Sequence, residues 1–172
     1  MPPFDNRSPL RIFVHAAFFL VVGGQIALVF ILEPHWNVSW LRWVGYAMWG
    51  LSVVLGWLPI FIFRRRGGVE KGESYTSTQR MVTTGLYAVV RHPQFLALIL
   101  LGVAAALLTP HWATIAGAAV ISVTIYIVML SSDRRLVEKF GDEYRDYERR
   151  VPRANILWGL VKLIFGPRRP VK

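Results

Sequence analysis

The sequence predicts an all-α fold: an integral membrane helical bundle of about four spans, with amphipathic helices on the cytoplasmic side after the last span. Two observations carry this. Of the 172 residues, 54% are apolar and the mean hydropathy is +0.42, yet Lys and Arg number 20 against 10 Asp and Glu. The apolar residues are also gathered into long runs separated by charged stretches. A soluble domain of this length has no interior large enough for so much apolar surface. A bilayer supplies one, and the basic excess then reflects the charge asymmetry of membrane topology. Nucleic-acid binding, the other reading of a net charge of +10, is set aside. The charges flank apolar spans and form no basic stripe interleaved with aromatics. With no Cys, disulfides, thiolate catalysis and Cys-ligated metals are excluded.

The first span is expected over about 11–32. From Ile12 to Leu32, 21 residues are interrupted only by His15, Gln25 and two glycines. The second is expected over about 42–63, where Trp43 to Phe63 hold 21 residues without a charge. Each run is long enough for a hydrocarbon layer of about 30 Å at a rise of about 1.5 Å per residue. The first run outlasts a signal-peptide core and meets no small-x-small cleavage site, so it reads as a retained span. His15 and Gln25, polar inside a span, read either as functional groups or as hydrogen-bonding glue between helices.

Residues 64–91 form a solvated cytoplasmic loop, with Arg64-Arg65-Arg66 followed by glycines and the polar run Glu70 to Ser74. The third span, about 93–109, has its apolar core from Phe95 to Leu108. That stretch is too short to cross alone, so its helix starts further back or below the bilayer surface, with Pro93 in the first turn. Thr109-Pro110-His111 is the tip of a helical hairpin, and the fourth span follows over about 112–131. Of the 20 Lys and Arg, only Arg42 lies on the far side. Both termini are therefore expected in the cytoplasm, in a multi-pass protein of a prokaryotic cytoplasmic membrane. Pro34-His35-Trp36 and Pro110-His111-Trp112 repeat one tripeptide; interfacial Trp and helix-ending Pro account for both.

A cytoplasmic helix is expected over 133–150, since Leu136, Phe140, Tyr144, Tyr147 and Val151 recur at helical spacing. A last apolar helix, about 155–166, is too short to cross and lies in the interface or packs against the spans. Arg168, Arg169 and Lys172 then sit among anionic headgroups. The whole chain, 1–172, is one domain.

Chemistry is expected at the cytoplasmic mouth of the hairpin. The third and fourth spans run antiparallel, which brings Arg91-His92-Pro93 near Asp133 although they stand about 40 residues apart. A helix N-terminus favours an anion, and Arg91 adds a bidentate fork. Asp133 supplies the opposite sign. Such a pocket suits a zwitterion with separated ends, the form of S-adenosylmethionine. Four scattered histidines without HExxH or ExxH spacing give no metal site.

Val82-Thr83-Thr84-Gly85-Leu86-Tyr87, followed by Arg91-His92-Pro93-Gln94-Phe95, resembles the TTGxYxxxRHPxY block of the isoprenylcysteine carboxyl methyltransferase and phospholipid methyltransferase superfamily. Leu136 to Tyr144, with Tyr147 and Val151-Pro152-Arg153 behind it, resembles that superfamily's second block. The likeness covers about 72 to 153, with both blocks in order around a transmembrane hairpin. It implies S-adenosylmethionine bound on the cytoplasmic side and a lipophilic carboxylate, thiol or amine acceptor entering from the bilayer. The implied chemistry is in-line displacement at the sulfonium methyl, the protein aligning reactants and excluding water. Arg91, His92 and Asp133 are the implied catalytic residues. Thr84, Gly85, Tyr87, Arg91, His92, Pro93, Asp133 and Tyr144 are the implied cofactor-binding set. Arg91 and the helix entrance would take the methionine carboxylate, and Asp133 the ammonium.

One departure stands out. Family members carry adjacent glutamates ahead of the second block, and counting back from Phe140 places them on Asp133 and Arg134. Arg134 reverses the sign and would favour a phosphate, which keeps open an NADPH-dependent membrane reductase related to sterol reductases. A non-catalytic lipid-binding protein is the third reading.

Overall fold

The computed structural model describes residues 9–36, 38–66 and 81–165, with side chains described from Leu20 onward except at positions 63 and 66. Among these residues every regular element is helical. The order is α1 (Pro9–Ile31), α2 (Ser39–Arg66), a 3-10 turn (Gly85–Ala88), α3 (Pro93–Leu108), α4 (Trp112–Phe140), α5 (Asp142–Arg150) and α6 (Ile156–Phe165). The all-α class expected from the sequence is the class observed. Expectations that fall on residues 67–80, on the His15 side chain and on Arg168, Arg169 and Lys172 lie outside the described residues.

Two helices are long and apolar enough to cross a membrane, Ser39–Ile62 within α2 and all of α4. Only 22% and 28% of their most apolar windows are buried. A core helix of a soluble protein would be mostly covered, so these faces belong to a membrane protein. The helix α3, at 16 residues, is about 24 Å long and falls short of a hydrocarbon layer of about 30 Å.

The break expected after residue 131 does not occur. The helix α4 runs on through Asp133-Arg134-Arg135 to Phe140, and the helix expected over 133–150 is split at Gly141. Charge ends a membrane span because hydrocarbon rejects it, but a helix with its backbone bonds already made continues into water. Gly141 ends it by taking a φ of +61°, a conformation costly for any side chain with a Cβ.

The helices divide into two compact units, one of Met1–Trp49 with Ile99–Val123, the other of Gly50–Leu98 with Thr124–Lys172. In the first, Gln25 is buried and its amide nitrogen donates to the carbonyls of Thr114 (2.7 Å) and Gly102 (3.4 Å). Its side chain lies so close to Gly117 that a Cβ there would collide with Oε1. The Thr109 hydroxyl donates to the Val29 carbonyl at 3.1 Å. The two Pro-His-Trp turns meet: the His35 and His111 rings stand 4.1 Å apart, and Trp36 packs edge-on against Trp112. Interfacial Trp and helix-ending Pro do not account for that pairing.

In the second unit Ser52 Oγ donates to the Ala97 carbonyl at 2.7 Å, and Gln94 Nε2 to that of Gly56 at 3.2 Å. Tyr144, Tyr147 and Val151 form a buried cluster against Met81, Leu136, Val137 and Phe140. Leu136, Phe140, Tyr144, Tyr147 and Val151 are the residues whose helical spacing marked an apolar face, and they keep that face across the Gly141 break. The Tyr147 hydroxyl donates to the Tyr87 carbonyl at 2.6 Å, fixing the 3-10 turn on α5.

Candidate functional site

All of the site lies in the second unit. Pro93 opens α3, where a missing N–H costs nothing, and His92 precedes it with its carbonyl accepting from the Leu96 N–H at 3.0 Å. The backbone ahead of α3 is pinned from the other side of the chain. The Arg91 N–H donates to the Pro152 carbonyl and the His92 N–H to that of Arg153, both at 3.1 Å. The segment after α5 thus aims the Arg91 and His92 side chains at α4.

Their common partner is Asp133, which is 5% exposed. One carboxylate oxygen accepts from His92 Nε2 and from the Tyr144 hydroxyl, each at 2.6 Å, and from Arg91 Nη1 at 3.2 Å. The other accepts from Arg153 Nε at 2.7 Å. An ionised carboxylate only accepts, so Nε2 of His92 carries the proton in this contact. Arg91 also reaches Glu148 at 3.2 Å, and its Nε is buried without a partner among the described residues. The Arg153 guanidinium stacks over the Tyr126 ring at 5.7 Å. Burial and the neighbouring Asp133 carboxylate push the Tyr144 phenol well above the usual tyrosine range, and burial does the same for Tyr147. Both phenols are therefore held as neutral donors. The hydrogen bond to Asp133 raises Arg153 further above its ordinary value.

Beside this cluster opens a groove of about 410 Å³, lined by Leu130, Asp133, Arg134, Val137, Glu138, Glu148 and Arg153. That volume lies within the range of about 300–1,000 Å³ usual for small-molecule sites. Two apolar walls and charges of both signs face it. Arg134 and Glu138, one helical turn apart on α4, are exposed and do not pair with each other. Arg134 does not pair with Asp133 either.

Of the residues singled out from sequence, the structure brings together Arg91, His92, Asp133 and Tyr144, with Pro93 and Tyr87 buried behind them. Thr84 and Gly85 are exposed at the start of the 3-10 turn, where Gly85 takes a φ of +66°. Glu148 and Arg153 belong to the cluster and were missed. Glu148 is one turn beyond Tyr144 on the same helix, and Arg153 is the last residue of the second motif block. Those two placements are the signals that would have found them.

Residues 73–140 match the isoprenylcysteine carboxyl methyltransferase (ICMT) family. The chain is similar to methanethiol S-methyltransferase 2 of Bradyrhizobium diazoefficiens, 32% identical over 159 residues, covering 81% of this chain and 54% of the relative. It is also similar to methanethiol S-methyltransferase 1 of that organism, 39% identical over 72 residues, covering 42% of this chain and 25% of the relative. The chain thus spans about half the length of the first relative and a quarter of the second. No solved structure matches it.

Proposed function

We propose that this chain, whose residues 73–140 match the isoprenylcysteine carboxyl methyltransferase family, is a membrane methyltransferase, moving a methyl group from S-adenosylmethionine to a lipophilic acceptor at the cytoplasmic face. The observation that carries this reading is the His92–Asp133 contact at 2.6 Å. It joins the first motif block to the carboxylate just ahead of the second, which Tyr144 of the second block also reaches, beside a groove of cofactor size.

The donor set of the groove fits the proposed cofactor. Arg134 and Arg153 would take its carboxylate. Four donors already surround Asp133, so the ammonium falls to Glu148 and Glu138 rather than to Asp133 as the sequence suggested. Leu130 and Val137 offer apolar walls. When bound, S-adenosylmethionine supplies an electrophilic methyl on a sulfonium. The chain's own residues position and exclude water. Asp133 orients His92, Arg91, Tyr144 and Arg153 at once. Arg91 holds Glu148 at the edge of the groove, and neutral Tyr144 donates without titrating.

A carboxylate acceptor arrives ionised, whereas a thiol or amine must lose a proton. The named relatives are thiol methyltransferases, so a small or lipid-borne thiol is the first acceptor to try. Calorimetry of the purified chain with S-adenosylmethionine and with NADPH tests the cofactor. Binding of the first alone supports the reading; binding of NADPH alone, or of neither, overturns it. Labelled-methyl transfer into a total lipid extract and into thiols, followed by mass analysis, identifies the acceptor.

A further inference from the structure

The helix α6 exposes apolar residues over most of its circumference. Every one of its ten residues except Ile156, Gly159 and Lys162 is exposed, and each exposed one is large and apolar. At about 100° per residue those three exceptions form one line along the helix, and the apolar residues wrap both flanks of it. The line is a defined seat. Gly159 lies so close to the turn after the 3-10 element that a Cβ would collide with the Val89 carbonyl. Lys162 donates to the Arg149 carbonyl at 3.2 Å, tying α6 to the last turn of α5. Asn155 caps the start, accepting the Trp158 N–H at 2.9 Å. The neighbour α5 has the opposite character, with the Asp146 and Arg149 side chains 70% and 79% exposed.

We infer that α6 is a bilayer-docking element, sunk among acyl chains along most of its circumference, and that the membrane–water boundary runs between α6 and α5. A helical protein partner covers a single stripe of positions spaced three and four apart. The surface of α6 covers both sides of its seat, which a solvent of acyl chains wets and one docked helix does not. Ten residues reach about 15 Å and cannot cross, so α6 lies in one leaflet. The helices α2 and α4 already expose long apolar faces, so the medium that α6 requires is the one they require. Val89 stands two residues before Arg91, and the buried charge cluster is therefore built at the edge of the hydrocarbon.

The chain has no Cys, so single reporters can be placed without background. Leu163→Cys and Phe165→Cys lie on opposite flanks of the seat, and Arg149→Cys lies on α5. Each is labelled with a nitrobenzoxadiazole fluorophore in the full-length chain in phosphatidylcholine vesicles. Quenching is then compared between doxyl groups on the lipid chains and iodide in the water. Both α6 probes should be quenched by doxyl at least fivefold more than the Arg149 probe, with the order reversed for iodide. Iodide quenching of both α6 probes to the Arg149 level overturns the inference. So does lipid quenching on one flank only, with the other shielded and cross-linking to a second copy. Trp158→Cys and Leu160→Cys, on opposite flanks of the seat, form a second pair, so a variant that fails to fold leaves the measurement intact.

Discussion

Each of the two units buries polar groups between apolar helices, and they do so by opposite means. The first uses a neutral amide: Gln25 gives its protons to two backbone carbonyls, Thr109 and Thr114 give theirs to others, and among the described residues no ionisable side chain takes part. The second buries a carboxylate and surrounds it with two guanidiniums, an imidazole and a phenol. A neutral amide satisfied by carbonyls is a joint. It fixes one helix against another at little desolvation cost. A buried charge held by four donors is costly to assemble and strongly destabilising to break. The second arrangement stands beside a groove.

The largest test of this contrast is Asp133→Asn. It leaves Arg91 and Arg153 without their common counter-charge and should cost about 3–5 kcal/mol of stability. We expect lower thermal unfolding in detergent and loss of labelled-methyl transfer by two orders of magnitude or more in the folded fraction. Retained transfer would make the cluster a joint like that of the first unit.

Tyr144→Phe removes one neutral donor to a charged acceptor, worth about 1.5–3 kcal/mol. Because the phenol is raised above the usual tyrosine range, it stays protonated as pH climbs, and its bond to Asp133 persists through the alkaline range. The variant should therefore show a lower rate but an unchanged alkaline limb in its pH–rate profile. A shifted limb would mean that this phenol titrates during turnover.

Gly117→Ala, in the first unit, forces the Gln25 amide aside and should cost about 1–3 kcal/mol as an overpacked contact. Methyl transfer per folded molecule should be unchanged, read as thermal shift against specific activity. Gln25→Leu is the mildest change. Single hydrogen bonds inside membrane bundles average about 0.6 kcal/mol, and the carbonyls that it abandons lie in helices. A large effect of Gln25→Leu on transfer with little effect on unfolding would place chemistry in the first unit.

Much of the second unit was legible because hairpin geometry is a strong constraint. Two antiparallel helices joined by Thr109-Pro110-His111 must bring residue 92 near residue 133, and the His92–Asp133 contact realises that. The apolar face from Leu136 to Val151 was legible from spacing alone. The break at Gly141 was not, since charge after Leu130 signals the end of a span and says nothing of the helix. Arg153 was hidden by its position beyond Val151-Pro152, in irregular chain where no periodicity assigns a partner. The first unit was less legible: Gln25 left two readings open, and only three-dimensional packing joins His35 to His111.

The unpartnered Nε of Arg91 has a further consequence. An N–H buried away from any protein acceptor needs an oxygen from elsewhere, since leaving it unmet costs about 1–3 kcal/mol. An oxygen atom delivered to that spot, from water or from a bound molecule, would cancel the penalty as well as form its own bond. A bound molecule that brings its own oxygen to this position would thereby gain affinity from a group that already stands in place.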